Sequence, residues 1–499
     1  MVREIEVVTG ENVELTFTMA VRGVDETVTV TAESPLVSTR KRGTSTTMTT
    51  EELERVPTAR DPWAVLRMVP GVLVDRVNIA GNESGAQGEI TAKGADRRDN
   101  TWSLDGLVVT DMAATGASTT YFDYGAFDEI HVTTGGTDLK IQSGGLGIHL
   151  TTRRGTNAFR GSARALLSHD KLSSGNLPAE LQDDPRLQGS DKADHIQQID
   201  EFGFELGGPI LKDRLWFYGT WGRQDIRLVR LNQTSDRTVI PAYNLKLNWQ
   251  ATPGTMVSAF YFKADKQKWG RPVVPGANQA DSVLTDQRYA ATPGGLPGGL
   301  WKLQLDRTFS PNLFVSAIVS YFDMGFGFYP RGSRDQSYTV DYSRNEALGT
   351  SLDARPLRPD TTARADGSSP TDTVAQLLRD STLSYRGRYW SAYLGDLLSR
   401  GRLSVNLGLR WDGQGSRNLP GEARANASFP GVLPAARWEG NEKDLVKWSE
   451  VSPRAGLSLV LDEGRKTVVR ASYAWYAQQL PAWYAANESP GLAGYLAYA

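Results

Sequence analysis

The chain has 499 residues, room for about three domains at the usual ~150 residues per domain. Its 55 lysines and arginines nearly balance its 57 aspartates and glutamates, and a net charge of −2 excludes a nucleic-acid binder that relies on bulk positive charge. The sequence has no cysteine, which excludes a disulfide scaffold, a thiolate metal site and a cysteine nucleophile.

No stretch of the sequence approaches the ~18 apolar residues that a membrane-spanning helix needs. The first residues also lack a basic segment followed by an apolar one, so we expect no signal peptide in this sequence. A soluble β-rich protein is one interpretation of this composition, which includes 50 glycines and 24 prolines. A transmembrane β-barrel is another, because its short alternating strands leave the chain hydrophilic as a whole.

Residues 1–32 alternate between apolar and polar side chains as strands do, with Val13 and Phe17 on one face. The segment is too short for a domain, so we interpret it as the end of a small β-sandwich. Residues 33–48 are rich in Ser, Thr, Lys and Arg, and we predict a linker there.

Residues 49–154 mix helix and strand signals. Thr49 and Glu52 fit a capping box at one helix start, and Asp61 followed by Pro62 marks a second start. Short segments broken by glycines come next, and they predict strands near residues 102–104, 130–132 and 147–150. We therefore expect a small mixed α/β domain.

From about residue 155 onward, long segments carry an apolar residue at every second position, most clearly at residues 243–250 and 402–412. Strict alternation over ~10 residues is typical of a strand with one apolar and one wet face. Short turns alternate with long polar loops, as in outer-membrane barrels and rarely in soluble sandwiches. We predict a mainly β fold, an antiparallel transmembrane β-barrel of about eleven strands over residues 155–499, with a soluble sandwich as the alternative.

The sequence offers little to an enzyme. None of its histidines, which are His131, His149, His169 and His195, has the i, i+4 partner of a helical zinc site. His131 and His149 fall at strand positions, where we expect a structural role. Residues 144–147 (GGLG) enter a strand instead of a helix, which favours a tight turn over a phosphate site. We predict no catalytic residue, no metal site and no cofactor.

Four motifs follow one another in order along the chain: PGV at 70–72, KGADRRDNTWSLDG at 93–106, RRGTNAFRG at 153–161 and FGFELGGPILKD at 202–213. Together they resemble the TonB-dependent receptors of the outer membrane, specifically the Oar-like branch, in which a carboxypeptidase-regulatory-like domain precedes the plug domain. The resemblance covers nearly the whole chain. From the second motif it supplies the plug residues that we take as candidate site residues: Arg98, Asp99, Asn100, Asp105 and Gly106.

The resemblance implies an arrangement of domains. Residues 1–32 correspond to the end of the regulatory-like domain, residues 49–154 to the plug, and residues 155–499 to the N-terminal half of a barrel of about 22 strands. It also implies an outer-membrane location in a Gram-negative type of cell, contact with outer-membrane lipid, and uptake of an unidentified extracellular ligand. The energy comes from TonB and its inner-membrane complex. No nucleic-acid partner is expected.

Members of this family recruit TonB through a short segment before the plug, the TonB box, which adds a strand to its partner. One segment resembles that box and lies just before the linker; its residues are Glu26, Thr27, Val28, Thr29, Val30, Thr31 and Ala32. Alternate β-branched side chains suit strand addition, because the backbone supplies the hydrogen bonds. The alternative is that these residues form the last strand of the preceding domain.

Two departures from the family pattern indicate a fragment of a larger protein. About eleven strands are roughly half of what the family needs, and the last residues lack the terminal aromatic side chain that outer-membrane assembly uses. An energy-coupled receptor is the leading hypothesis. An outer-membrane adhesin or protein-secretion port on the same scaffold is the first alternative, and a soluble carbohydrate-binding β-sandwich is the second.

Two structural predictions follow from this interpretation. Residues 158–477 form one meandering antiparallel sheet in which each strand neighbours the next. The plug lies against the polar face of that sheet, through hydrogen bonds instead of an apolar core. On that face the alternation places Asn244, Lys246, Asn248, Arg402, Asn406 and Arg410.

Overall fold

The structure is a computed structural model, and the residues that it describes lie mostly between positions 44 and 486. They are residues 44–55, 60–75, 85, 87–112, 114–136, 138–175, 177–183, 190–192, 194–229, 235–271, 283–289, 295–322, 324–329, 339–341, 346–348, 354–359, 373–377, 384–425, 430–431, 434–462, 467–486 and 496–498. The TonB-box-like segment and the regulatory-like segment lie outside these residues, so both stay predictions.

An N-terminal α/β domain contains a five-stranded sheet with the order β1-β6-β7-β4-β5. All of its pairs are antiparallel except β4 with β7. The strands and helices of this domain are β1 (Thr44–Thr49), α1 (Thr50–Arg55), α2 (Pro62–Leu66), β2 (Val72–Val74), β3 (Ile90–Ala92), β4 (Thr101–Leu104), β5 (Leu107–Val108), β6 (Phe127–Gly135) and β7 (Gly147–Thr152), with 3₁₀ turns at Arg97–Asp99 and Tyr124–Ala126. The prediction of a mixed α/β domain is confirmed.

The linker boundary is wrong by five residues. Residues 44–48, predicted as linker, form most of strand β1, which pairs antiparallel with β6. Ser and Thr are common in linkers, but Thr is also β-branched and suits an edge strand. Here Thr47 faces His131 across the pair, and its hydroxyl lies 2.7 Å from Nδ1 of that ring.

Both predicted helix starts are present. The backbone N–H of Thr49 donates to the Glu52 carboxylate at 2.9 Å, which is one half of a capping box. At the second start, the Asp61 carboxylate accepts from the N–H of Ala64 at 2.7 Å, ahead of a helix that begins at Pro62. Gly71, at φ +78°, follows that helix.

We expect Asp61→Ala to lower the free energy of unfolding of this domain by about 1 kcal/mol, because the helix loses its only side-chain cap. Urea unfolding of the full protein, followed through Trp63 and its neighbouring rings, measures the change. Asp61→Asn keeps an accepting oxygen and serves as the control. Equal stability of the Ala and Asn variants would contradict the role of the cap.

The remaining strands form two large sheets and several short pairs. Ten strands build the first sheet: β8 (Arg160–His169), β9 (His195–Leu211), β10 (Leu215–Val229), β11 (Ser235–Thr252), β12 (Thr255–Ala264), β13 (Lys266–Arg271), β14 (Val283–Tyr289), β15 (Leu300–Ser310), β16 (Leu313–Phe322) and β17 (Met324–Tyr329). Four strands build the second sheet: β22 (Tyr385–Arg400), β23 (Leu403–Asn418), β26 (Val446–Val460) and β27 (Val468–Ala474).

The short elements lie between and after these sheets. They are β18 (Thr339–Asp341), β19 (Glu346–Leu348), β20 (Ala354–Pro359), β21 (Thr373–Leu377), β24 (Gly421–Ala423), β25 (Ala436–Trp438), α3 (Trp483–Ala486) and β28 (Leu496–Tyr498), with 3₁₀ turns at Asp170–Leu172 and Ala179–Leu181. Several of them fall in stretches predicted as loops. No helix in the described part of the chain is long and apolar enough to cross a membrane.

Within the described residues the prediction of one continuous sheet is wrong, because β8–β17 and β22–β27 form separate sheets. The strands between them are three to six residues long, whereas about 9–11 residues are needed to span a bilayer. The meander itself is confirmed: the main path of the first sheet runs through seven neighbouring strands, and the second sheet has four. These eleven strands match the predicted number.

The alternation of side chains sorts the sheets into two faces as predicted. Asn244, Lys246 and Arg410 are buried on the face toward the N-terminal domain, whereas Leu245 and Leu407 on the other face are 47% and 50% exposed. A row of exposed apolar side chains on a sheet is the lipid-facing band of a barrel. One turn differs from its prediction, since Gly208 and Pro209 continue β9 and the chain reverses at Asp213 (φ +62°).

Candidate functional site at the plug–barrel interface

A buried ion network joins the N-terminal domain to the first sheet. The Arg164 guanidinium on β8 contacts the carboxylate of Asp123 and donates to that of Glu201 at 3.0 Å. From the N-terminal domain, Arg60 reaches the same Glu201 carboxylate at 3.1 Å. The side chains of Asp123 and Glu201 are only 5% and 3% exposed. This network therefore crosses the interface twice through two shared carboxylates.

The inner wall accommodates this network because its facing positions are glycines. A Cβ atom at Gly203 would lie 2.5 Å from the Arg164 guanidinium, and one at Gly222 would lie 2.6 Å from the Asp123 carboxylate. Further polar groups complete the hydrogen bonding: Thr220 donates to Asp123 at 3.2 Å. Any larger side chain at either glycine displaces the ion pairs.

A second network lies near the boundary between the domain and β8. Arg153 pairs with Glu205 of β9 at 2.5 Å and with Glu54 of α1 at 3.0 Å. The Glu205 carboxylate also accepts from the hydroxyls of Tyr218 and Ser162. Sequence reasoning did not single out these charges, although Arg153 opens the third motif and Glu205 lies in the fourth.

The turn at Asp105 and Gly106 forms another anchor. Both residues have positive φ, +48° and +80°, as a tight hairpin between β4 and β5 requires. The Asp105 carboxylate accepts from Lys246 Nζ at 2.8 Å and from the Thr152 hydroxyl at 2.6 Å. Lys302 Nζ donates to the Asp105 carbonyl at 2.6 Å. Two barrel lysines therefore hold one domain turn.

The other candidate residues divide between internal and exposed roles. Asn100 is buried and joins two strands, since its amide donates to the Ile90 carbonyl at 2.7 Å and its oxygen accepts from Leu146 N–H at 3.1 Å. Arg98 is 62% exposed and pairs with Asp96 at 2.7 Å. The hydrogen bond from Arg98 lowers the pKa of Asp96 to about 2, whereas burial raises the pKa of Asp99.

The loop after β6 is clamped to the second sheet. The side chain of Leu139 packs on the cross-strand pair of glycines Gly395 and Gly408, where added Cβ atoms would lie 2.5 Å and 2.7 Å from its Cδ1 atom. Arg410 donates to the Leu139 carbonyl at 2.5 Å, and Arg454 donates to the carbonyls of residues 138 and 141. Of the predicted contact residues, Lys246 and Arg410 reach the domain directly.

Residues 475–486 follow β27 but leave the sheet and run against the domain. Gln478 donates to the Asp99 carboxylate at 3.3 Å, and Gln479 donates to the Thr110 carbonyl at 3.3 Å. Gln414 of β23 accepts from the N–H of Leu480 at 2.7 Å. This stretch therefore lies between the barrel wall and the domain, where the sequence pattern predicts no special contact.

The interface also has an apolar part, which corrects the prediction that hydrogen bonds alone join the domain to the sheet. Phe122 of the domain lies 6.0 Å, between ring centroids, from Phe262 of β12. Ile240, Phe260 and Leu300 of the sheet belong to the same buried cluster as the core of the domain. Inward positions of a barrel that meet a packed domain are desolvated, so apolar side chains are stable there.

The two strand histidines lie side by side across the domain sheet, with ring centroids 5.9 Å apart. His149 Nδ1 lies 2.6 Å from the Ser103 hydroxyl, and burial lowers the pKa of His149 to about 4. Among the described residues, no group of three His, Asp or Glu side chains could hold a metal ion. His169 and His195 lie on β8 and β9, away from this pair.

The depressed pKa of His149 predicts a pH effect on the domain. The unfolded chain takes up a proton near pH 6.5 and the folded chain near pH 4, so the unfolded state binds more protons between these values. We therefore expect the free energy of unfolding to fall as pH decreases from about 6.5 to about 4. Urea titrations across this range should show a smaller decrease for His149→Gln, and an identical decrease would contradict the assignment.

Comparisons with known proteins agree with this architecture. A model described as "TonB-dependent Receptor Plug Domain" matches residues 39–148, and one described as "Outer membrane beta barrel domain" matches residues 151–243. The TonB-dependent transporter Oar of Myxococcus xanthus is 30% identical over 139 residues, which are 27% of this chain and 12% of that protein. The chain carries the plug and barrel strands of a TonB-dependent receptor.

Solved structures of receptors share the fold. The outer membrane transporter YddB from Escherichia coli is 12% identical at a TM-score of 0.50, covering 87% of this chain and 54% of that one. A mutant ferric enterobactin receptor (PfeA) from Pseudomonas aeruginosa is also 12% identical at a TM-score of 0.50, covering 87% and 63%. The receptor chain therefore spans little more than half of these structures and 12% of Oar.

The receptor family is one of transporters and receptors, and its location is the outer membrane. The alternative of a soluble carbohydrate-binding sandwich is wrong, because the curved sheets surround a plug and match outer-membrane barrels. The receptor residues that sequence reasoning missed are chiefly Arg60, Asp123, Arg164, Glu201 and Arg454. A usable signal was present: charged residues alternate with glycines at inward positions of β8, β9 and β10.

Proposed function

We propose that the full receptor imports a solute across the outer membrane with energy that TonB transmits from the inner membrane. The observation that carries this proposal is the buried ion network around Arg164, which holds the plug inside the barrel wall. Breaking a buried ion pair by removing one partner costs about 3–5 kcal/mol, so thermal motion alone rarely opens such a contact. A plug held in this way needs an external source of work.

The position of β1 supports a pull from the N-terminal side. β1 is the edge strand of the plug sheet and pairs with β6. Between the TonB-box-like segment 26–32 and β1 lie residues 33–43, which span about 35 Å when extended. A partner that binds the segment from below the membrane can therefore pull on β1 directly.

The candidate plug residues take different parts in this proposal. We propose that Asn100, Asp105 and Gly106 maintain the plug and its anchor, because their contacts are internal or reach barrel lysines. Arg98 is the member of the set available to an incoming ligand, since its side chain is 62% exposed. The identity of the solute stays open. Contact with outer-membrane lipid follows from the location.

The experiment uses the full-length receptor in detergent and the purified periplasmic domain of TonB. We expect Val28→Pro or Val30→Pro to weaken TonB binding at least about tenfold, because proline removes a backbone donor from an added strand and fixes φ. Val28→Thr retains the donor and the β-branch, and serves as the matched control. Binding by the proline variants that equals the control would refute the assignment of the TonB box.

A further inference from the structure

The outward face of the second sheet carries a compact basic cluster above its aromatic belt. Strand register places Arg388, Gly415 and Lys447 on one rung across β22, β23 and β26, and Arg386 beside Arg417 on the rung above. We call Arg386, Arg388, Arg417 and Lys447 the basic cluster. Arg386, Arg388 and Lys447 are exposed, and Arg417 is partly buried.

The rungs below the basic cluster are aromatic and apolar. Trp390 pairs with Gly413 on the first of these rungs, and Trp411 lies one rung further down. Their exposed fractions are 65% and 41%, and Leu394 and Leu409 continue the same face below them. Tryptophan rings in such a position mark the membrane–water interface of a barrel. The basic cluster therefore lies at the level of the lipid headgroups.

The cluster belongs to the outer side of the membrane. At this end of the sheet, residues 419–445 connect β23 to β26, whereas residues 401–402 connect β22 to β23 at the other end. Outer-membrane barrels have their long connections outside and their short turns in the periplasm. The headgroups beside the cluster are accordingly those of the outer leaflet.

A groove runs between the tryptophans and the cluster. It has a volume of 320 Å³, and its lining includes Arg388, Trp390, Trp411 and Lys447. The middle strand contributes glycines at positions 413 and 415, so the groove floor is backbone. Asp444 contacts Arg388 at 3.2 Å and is the carboxylate that lines this groove. Four cations beside one carboxylate leave the cluster with net positive charge.

We propose that this groove binds a phosphate group of a phosphorylated glycolipid of the outer leaflet, of the lipid A type. Arginine binds phosphate oxygens through two parallel N–H donors, and lysine adds a point charge. The acyl chains of such a lipid would lie along the exposed apolar face below the tryptophans. This assignment rests on the outer-membrane location and does not depend on which solute the receptor imports.

The test measures lipid A retained by the full-length receptor after detergent exchange, by mass spectrometry. We expect the double variant Arg388→Gln with Lys447→Gln to retain about tenfold less lipid A than the unmodified receptor, because each cation near the surface contributes about 1 kcal/mol. Arg386→Gln with Arg417→Gln should act in the same direction. Arg400→Gln, at the opposite end of β22, is the matched control and should retain lipid A normally.

Two further probes identify the chemistry. Dephosphorylated lipid A should bind the unmodified receptor as weakly as lipid A binds the double variant. Inorganic phosphate at the same concentration should not displace lipid A, because it lacks the acyl contacts. Equal retention of both lipids, displacement by inorganic phosphate, or normal retention by both double variants would overturn the proposal. Heat-dependent migration on gels confirms that each variant is folded.

Discussion

Arg164→Gln is expected to release the plug from the barrel wall at a much lower urea concentration than in the unmodified receptor. The substitution leaves two carboxylates, Asp123 and Glu201, buried beside a neutral amide. Removing one partner of a buried pair costs about 3–5 kcal/mol. At the usual urea dependence of 1–3 kcal/mol per molar, this loss corresponds to a midpoint lower by about 2 M. Ion conductance of the full receptor in a planar bilayer reports the release.

The control for this prediction is Arg55→Gln. The Arg55 side chain pairs with Glu51, but the two are 76% and 70% exposed. Such surface pairs contribute about 0–1 kcal/mol, so the midpoint should stay nearly unchanged. The double variant Arg164→Gln with Asp123→Asn removes one unpaired charge and should recover part of the loss. If Arg164→Gln behaves like Arg55→Gln, the network does not anchor the plug.

Gly408→Val is expected to detach the loop after β6 from the second sheet. An added Cβ would lie 2.7 Å from both Cδ atoms of Leu139, so the leucine and its clamped carbonyls must move. Overpacking of this kind typically costs about 1–3 kcal/mol, which corresponds to roughly a tenfold or greater increase in local opening. Hydrogen exchange of residues 138–142 and trypsin cleavage after Lys140 measure the opening.

A compensating variant tests the steric explanation. Leu139→Ala in the Gly408→Val background removes the clash and should restore slow exchange in residues 138–142. Gly219→Ala is the control, because a Cβ at Gly219 meets its neighbours at 3.8 Å, which is ordinary contact. Slow exchange in Gly408→Val itself would show that Leu139 does not hold the loop in place.

Local patterns in the sequence determine the elements of this receptor. The alternation of apolar and polar residues predicts strands such as β23 and their lipid-facing side, because successive side chains of a strand point to opposite faces. Asp61 and Pro62 mark a helix start, since both act on backbone groups within one turn. The ordered motifs identify the family. All these signals depend on residues close together in the chain.

The tertiary structure alone decides which distant groups meet. Arg60 and Glu201 lie 141 positions apart, and Arg410 reaches a carbonyl 271 positions away. The sequence shows these side chains as charges on a wet face, which is equally typical of a solvated strand. Gly395 and Gly408 likewise look like weak strand positions until Leu139 packs against them. Partner choice depends on strand register and on where the plug lies in the barrel, and neither is encoded by neighbouring residues.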